Sequence, residues 1–212
     1  MWQAALLCGI AGYVDALGYV QLGNVFAANM TGNTVLLSIV LAGGEWARAA
    51  TYGSTLASFF AGALVASLLK RALPQGAWLP LLLQAALLLA AALAPLDAAS
   101  ELALLALGMG LQGAAITQFA GTSLYTVVIT ASICRLASGL IDGLWPRPRE
   151  TSVSARPAPR LIFALSWLFY GIGAAVEVLL FGGLRLPLIL PAILLALFAG
   201  WLAFHSTEGF AR

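Results

Sequence analysis

The stretch that decides the reading is residues 12–33, GYVDALGYVQLGNVFAANMTGN. It lies within apolar sequence yet holds Asp15, Gln21, Asn24, Asn29, Thr31 and Asn33. Polar groups are costly in hydrocarbon, so a set like this inside a membrane segment marks a functional site by default. A chain reversal at Gly23-Asn24 puts Asp15 eight residues before Gly23 and Thr31 eight residues after it. In a helical hairpin rising ~1.5 Å per residue, both lie about 12 Å from the turn. The carboxylate and the Thr31-Gly32-Asn33 triplet then face each other at one depth.

The sequence around this stretch belongs in a bilayer. Of 212 residues, 62% are hydrophobic and 8% charged, and the mean hydropathy is +0.98. Soluble domains carry about 25% charged residues, so most of this surface cannot face water. No alternating segments of about ten residues suggest a β-barrel. The expected fold class is therefore all-α, a polytopic transmembrane helix bundle. The formal charge of +2 is small and scattered, which excludes nucleic acid as a partner. Cys8 and Cys134 fall in apolar segments and read as two buried small hydrophobes. His205 is the single histidine, so no metal site and no cofactor are expected. The first apolar segment runs straight into Asp15 with no basic region before it, unlike a cleavable signal peptide.

A spanning helix needs around 20 apolar residues. Eight segments approach this: about 2–22, 25–42, 49–69, 77–93, 102–120, 123–140, 161–181 and 186–204. They give six to eight membrane segments, because the second and sixth are short. One polar connection, 142–160, is rich in Pro and Arg and reads as a loop. With the N-terminus cytoplasmic, Arg48, Arg135, Arg147, Arg149, Arg156, Arg160 and Arg212 lie toward the cytoplasm. Lys70, Arg71 and Arg185 lie outside, a bias of seven against three. Lys70-Arg71 fits poorly, and a re-entrant hairpin arm would relieve it. Trp2, Trp46, Trp78, Trp145 and Trp201 lie near segment ends, as an interfacial belt does.

The chain also repeats, with a period of about 98 residues. Gly12-Tyr13-Val14-Asp15-Ala16 resembles Gly110-Leu111-Gln112-Gly113-Ala114, and the second hairpin turns at Gly121-Thr122. After each hairpin comes a helix with small residues: Ala57, Ala61 and Gly62, then Gly171, Gly173, Ala174 and Ala175. Such residues let helix backbones approach closely in lipid. One integral membrane domain, 1–212, is expected, with repeat 1 about 1–96 and repeat 2 about 97–212. Parallel and inverted halves are both compatible with this pattern.

GYVDALGYV followed by VFAANMTGNTVLL resembles the signature of the YoaK family, bacterial integral membrane proteins of unknown function. The resemblance covers nearly the whole chain, including the Gly-Leu-Gln-Gly and Val-Ile-Thr-Ala counterparts in the second half. It implies a multi-pass protein of the bacterial cytoplasmic (inner) membrane and an expectation of transport, with no established substrate. Family members tend to carry Asn where this chain has Gly113. The second half therefore keeps Gln112 and Thr117 as its polar groups, which weakens a symmetric two-site scheme.

Asp15 is the sharpest residue, suited to binding a cation or exchanging a proton. A structural pairing with Arg135 is the alternative. Thr31-Gly32-Asn33 either opens a half-helix whose N–H groups point into the protein for a solute, or belongs to an ordinary cap made by Asn29 or Thr31. Thr130 and Ser132 repeat that chemistry more weakly and favour packing. Glu177 either joins Asp15 as a relay or snorkels toward Arg185, the preferred reading. Gln84 and Gln112 read as interhelical hydrogen-bonding groups. The candidate solute set is Asp15, Asn29, Thr31, Gly32, Asn33, Gln112 and Thr130, with Arg135 and Glu177 as an ion pair or relay. No Ser/His pair or HExxH points to an enzyme, and none is expected. Two readings remain: a small-solute or ion transporter, and a scaffold or regulatory subunit locked by Asp15. The solute's charge and the assembly, including a homo-oligomer, stay open.

Overall fold

The computed structural model describes residues 1–73, 76–116, 118–119, 122–123, 129–144, 160–181 and 188–208. Among the described residues there are eight helices: α1 (Trp2–Gln21), α2 (Met30–Ala42), α3 (Trp46–Ala72), α4 (Trp78–Leu93), α5 (Ala98–Ala115), α6 (Ile129–Leu144), α7 (Arg160–Phe181) and α8 (Ile189–Glu208). Two two-residue strands, β1 (Gln118–Phe119) and β2 (Thr122–Ser123), pair antiparallel where the sequence places its second reversal. By length and apolarity α1, α3, α5 and the stretch Leu161–Leu179 of α7 suffice to cross a membrane, while α2 and α4 are shorter apolar helices.

Local signals set the ends of these elements. Asp97 caps α5 by accepting the Ser100 N–H at 2.7 Å, which starts that helix four residues earlier than its apolar run. The same bond holds the exposed Asp97 carboxyl below the usual carboxylate range. The reversal at Gly23-Asn24 is present, with both residues in the left-handed region at φ 96° and 60°. Glycine reaches that region freely, and asparagine reaches it more easily than most residues.

Contacts between helices fix their directions. Running along α1 and α7 together, Gly9 lies against Phe169, Asp15 bonds Tyr170 and Gln21 bonds Glu177, so the two helices run the same way. Phe59 meets Gly110 and Lys70 reaches the Ala114 carbonyl at 3.0 Å, so α3 and α5 also run together. Between these pairs the sense reverses: Leu102 lies beside Gly18, while Gln112 reaches back to Leu7. Therefore α3 and α5 run opposite to α1 and α7.

This geometry corrects the reading of the second segment. Residues 25–29 are not helical, and α2 begins only at Met30. At ~1.5 Å per residue its 13 residues span about 20 Å, short of a ~30 Å hydrocarbon core. The Tyr52 hydroxyl near the start of α3 donates to the Asn24 carbonyl at 3.2 Å, so α3 begins on the side where α1 ends. The stretch between them enters and returns. Lys70-Arg71 consequently lies on the same side as the N-terminus, and Arg48 on the opposite side, the reverse of the eight-span count. With α2 re-entrant, the misfit of Lys70-Arg71 disappears.

The close packing is glycine-based. A Cβ on Gly12 would run into the Tyr170 carbonyl, and one on Gly173 into the Gly9 carbonyl. In the other pair, Gly110 abuts the Phe59 carbonyl and Gly62 the Leu107 carbonyl. Lipid tails are as apolar as leucine, so backbone approach and interhelical hydrogen bonds hold such a bundle more than hydrophobic burial does. At one end the Trp2 ring packs edge-on to Phe198 and Trp201, which brings the latter half of α8 to the start of α1. Cys8 is buried as expected. Cys134 is exposed on α6, which corrects its reading as a core residue.

Candidate functional site

The reversal carries residues 25–29 back along α1, with the Val25 carbonyl lying over Gly18. They end beside Asp15, which is 3% exposed. Its Oδ1 accepts the N–H groups of Ala28 at 2.5 Å and Asn29 at 3.2 Å, and its Oδ2 accepts the Tyr170 hydroxyl at 2.5 Å. One carboxylate thus joins α1, the non-helical segment before α2, and α7. The expected pairing with Arg135 is not made: the Arg135 guanidinium lies 5.6 Å from the Phe163 ring centre, and among the described residues Asp15's partners are all dipoles.

Asn33 and Asn29 hold the segment in shape. Asn33 is fully buried, and its amide forms a two-bond ring with the Phe26 backbone: Oδ1 accepts N–H at 3.0 Å and Nδ2 donates to C=O at 2.6 Å. Without that ring a non-helical stretch in hydrocarbon would leave these groups unsatisfied. Asn29 caps α2, accepting the Gly32 N–H at 3.1 Å. A Cβ on Gly32 would crowd both the Asn29 amide and the Phe26 ring. Of the two readings of the triplet, the cap is therefore made, by Asn29 and not Thr31. Thr31 is exposed. The N–H groups expected to await an anion are in part already taken by Asp15 and Asn29.

A cavity of about 640 Å³ opens beside the carboxylate, between α1 and α7. Asp15, Tyr19, Phe26 and Tyr170 line it, with small residues such as Gly12 and Ala174 leaving the space. Tyr19 and Phe26 are stacked, ring centres 4.9 Å apart.

The family model described as "Protein of unknown function (DUF1275)" matches residues 3–201. The chain belongs to this family. It is similar to the "UPF0700 transmembrane protein YoaK" of Bacillus subtilis (strain 168), 28% identical over 188 residues, which covers 82% of this chain and 81% of that protein. No solved structure matches.

The remaining candidates in this DUF1275 chain divide into separate places. Gln112 is fully buried and does not reach Asp15; it donates to the Leu7 carbonyl at 2.9 Å and accepts from Gln84 at 3.0 Å, tying α1, α4 and α5. The interhelical role expected of both glutamines is what their geometry supplies. Thr130 is exposed on α6. Glu177 is buried and accepts a hydrogen bond from Gln21, a partner that sequence reasoning did not name. Arg185 lies outside the described residues. So do Thr117 and the Arg-rich connection at 145–159.

Sequence reasoning missed Tyr170, Tyr19 and Phe26. Tyr170 stands among Phe169, Gly171 and other apolar residues, and nothing local marks it. The available signal was its place one residue before the small-residue run of the seventh segment, where α1 comes close enough for a tyrosine to reach Asp15.

Proposed function

We propose that this protein is a small-solute or ion transporter whose pathway passes the Asp15 cavity. One observation carries the reading: a buried carboxylate, bonded only to dipoles among the described residues, borders a cavity at the start of a half-helix. An ion-pathway role is the usual reason to keep such a group in hydrocarbon. Discontinuous helices beginning inside the membrane are a recurring way to build transporter sites.

We further read residues 1–96 and 97–212 as inverted repeats. Gly12 and Gly110 are aligned by the sequence repeat, lie on oppositely directed helices and make the same backbone contact, with Tyr170 and Phe59 respectively. At the equivalent place between α5 and α3, Gly113 and Phe59 stand where this site has Asp15 and Tyr170, so the pair of repeats carries one such polar site. Placement in the bacterial cytoplasmic membrane with the N-terminus cytoplasmic agrees with the side taken by Lys70, Arg71 and Arg160.

Reconstitution into vesicles loaded with a pH-sensitive dye tests the reading, using a panel of amines, amino acids, organic acids and inorganic cations. The expected result is a solute-dependent proton or charge movement that Asp15→Asn abolishes while the protein stays folded. Folded Asp15→Asn with unchanged flux contradicts the assignment. A second reading, an Asp15-locked scaffold, is favoured by the three internal bonds on that carboxylate. It predicts no flux, and an Asp15→Asn protein that differs from wild type in stability alone.

A further inference from the structure

We propose that the ligand of this cavity is an organic cation, a protonated amine or quaternary ammonium carrying apolar groups. The proposal rests on the reading of the Asp15 cavity as the solute site and goes beyond it in naming the chemical class.

Charge is the first argument. Among the described residues no lysine or arginine bonds to Asp15; its partners there are the N–H groups of Ala28 and Asn29 and the Tyr170 hydroxyl. The Ala27 N–H also faces this carboxylate, and every one of these donors is a neutral dipole. Dipoles lessen the cost of a buried charge without neutralising it, so the cavity favours a cation. The competing anion reading loses much of its donor set, because the N–H groups of Ala28, Asn29 and Gly32 are already engaged.

The walls are the second argument. α1 and the returning segment bring the Tyr19–Phe26 stack, and α7 brings Tyr170. Aromatic rings around a cation attract it through their quadrupoles, and they do so more strongly where water is excluded. The other lining residues are Gly12, Ala16, Val20 and the α7 positions Ala174, Ala175, Val178 and Leu179, all without polar side chains. A sugar or a zwitterion would leave most of its polar groups unpaired against such walls, at a cost of kilocalories each. A cation with an apolar body satisfies both the carboxylate and the walls. The volume of about 640 Å³ falls in the range of ordinary small-molecule sites.

Benzyltrimethylammonium and its uncharged carbon isostere, neopentylbenzene, separate charge from shape. Binding to the purified full chain is read as a concentration-dependent rise in melting temperature. The cation is expected to bind and the isostere not. Tyr19→Leu and Phe26→Leu, which keep an apolar side chain, are expected to weaken the cation about three- to tenfold each. Folded Asp15→Asn is expected to abolish its binding. Equal binding of cation and isostere overturns the proposal, and so does cation binding that survives both Asp15→Asn and the aromatic substitutions. If no cation binds but another solute class does so in an Asp15-dependent way, the proposal falls and the solute-site reading stands. If nothing binds and no flux depends on Asp15, that reading falls too.

Discussion

Gly173→Leu is expected to leave little or no correctly folded protein, whereas Gly171→Leu, two residues away on the same helix, is expected to melt like the wild type. At Gly173 a side chain would meet the backbone of Gly9, which cannot move without separating α1 from α7. At Gly171 nothing lies within 4 Å of a new Cβ. Overpacking against side chains typically costs 1–3 kcal/mol, and here the obstacle is backbone, so a loss above about 3 kcal/mol is expected. Gly12→Leu belongs with Gly173→Leu because its obstacle is the Tyr170 carbonyl. Size-exclusion profiles and thermal midpoints in detergent check this. Indistinguishable behaviour of the two leucine variants would contradict the packing described.

Asp15→Ala carries the second large effect. It leaves the N–H groups of Ala28 and Asn29 and the Tyr170 hydroxyl without the acceptor that satisfies them. Hydrogen bonds to a charged group contribute about 1.5–3 kcal/mol each, and bonds sharing one acceptor are not additive. A total of about 3–5 kcal/mol is a reasonable expectation from those values. Asp15→Asn differs because its carbonyl oxygen still accepts from the returning segment. The Tyr170 hydroxyl must then turn to accept from the new amide. A cost of about 1–2 kcal/mol is expected for the asparagine, which leaves a folded protein for functional work. Thermal or denaturant melts of the three proteins should rank wild type, asparagine, alanine in falling order. An alanine variant as stable as the wild type would mean that the carboxylate does not hold the segment.

Much of this was legible because a membrane limits what polar residues can be doing. Asp15, Asn29 and Asn33 stood out in residues 12–33, and all three hold the hairpin. The positively charged pair Lys70-Arg71 signalled the re-entrant arm, since its placement made sense only if one segment failed to cross. The stretch 25–29 was misread as membrane helix because Val25, Phe26, Ala27 and Ala28 are apolar. What keeps them out of a helix is the Asn33 amide bonding the Phe26 backbone, a contact seven residues apart that periodicity does not reveal. Tyr170 was invisible for a related reason: its partner is 155 residues away, and no local pattern shows that Gly12 and Gly173 pack their helices together. Glu177 is bonded by Gln21, a neighbour 156 residues away that the sequence did not point to.

The central claim is that water and solute reach the cavity beside Asp15. Ala16 lines that cavity and is half-buried, so Ala16→Cys places a thiol on its wall. The exposed Cys134 is first replaced by serine, and buried Cys8 is kept. Labelling in sealed vesicles with a membrane-impermeant, positively charged methanethiosulfonate is the measurement to make. Modification of Ala16→Cys from the aqueous phase is predicted. Reaction with lipid-soluble maleimides alone, with the charged reagent inert from both sides, would contradict the account and leave the cavity as a lipid-filled gap between α1 and α7.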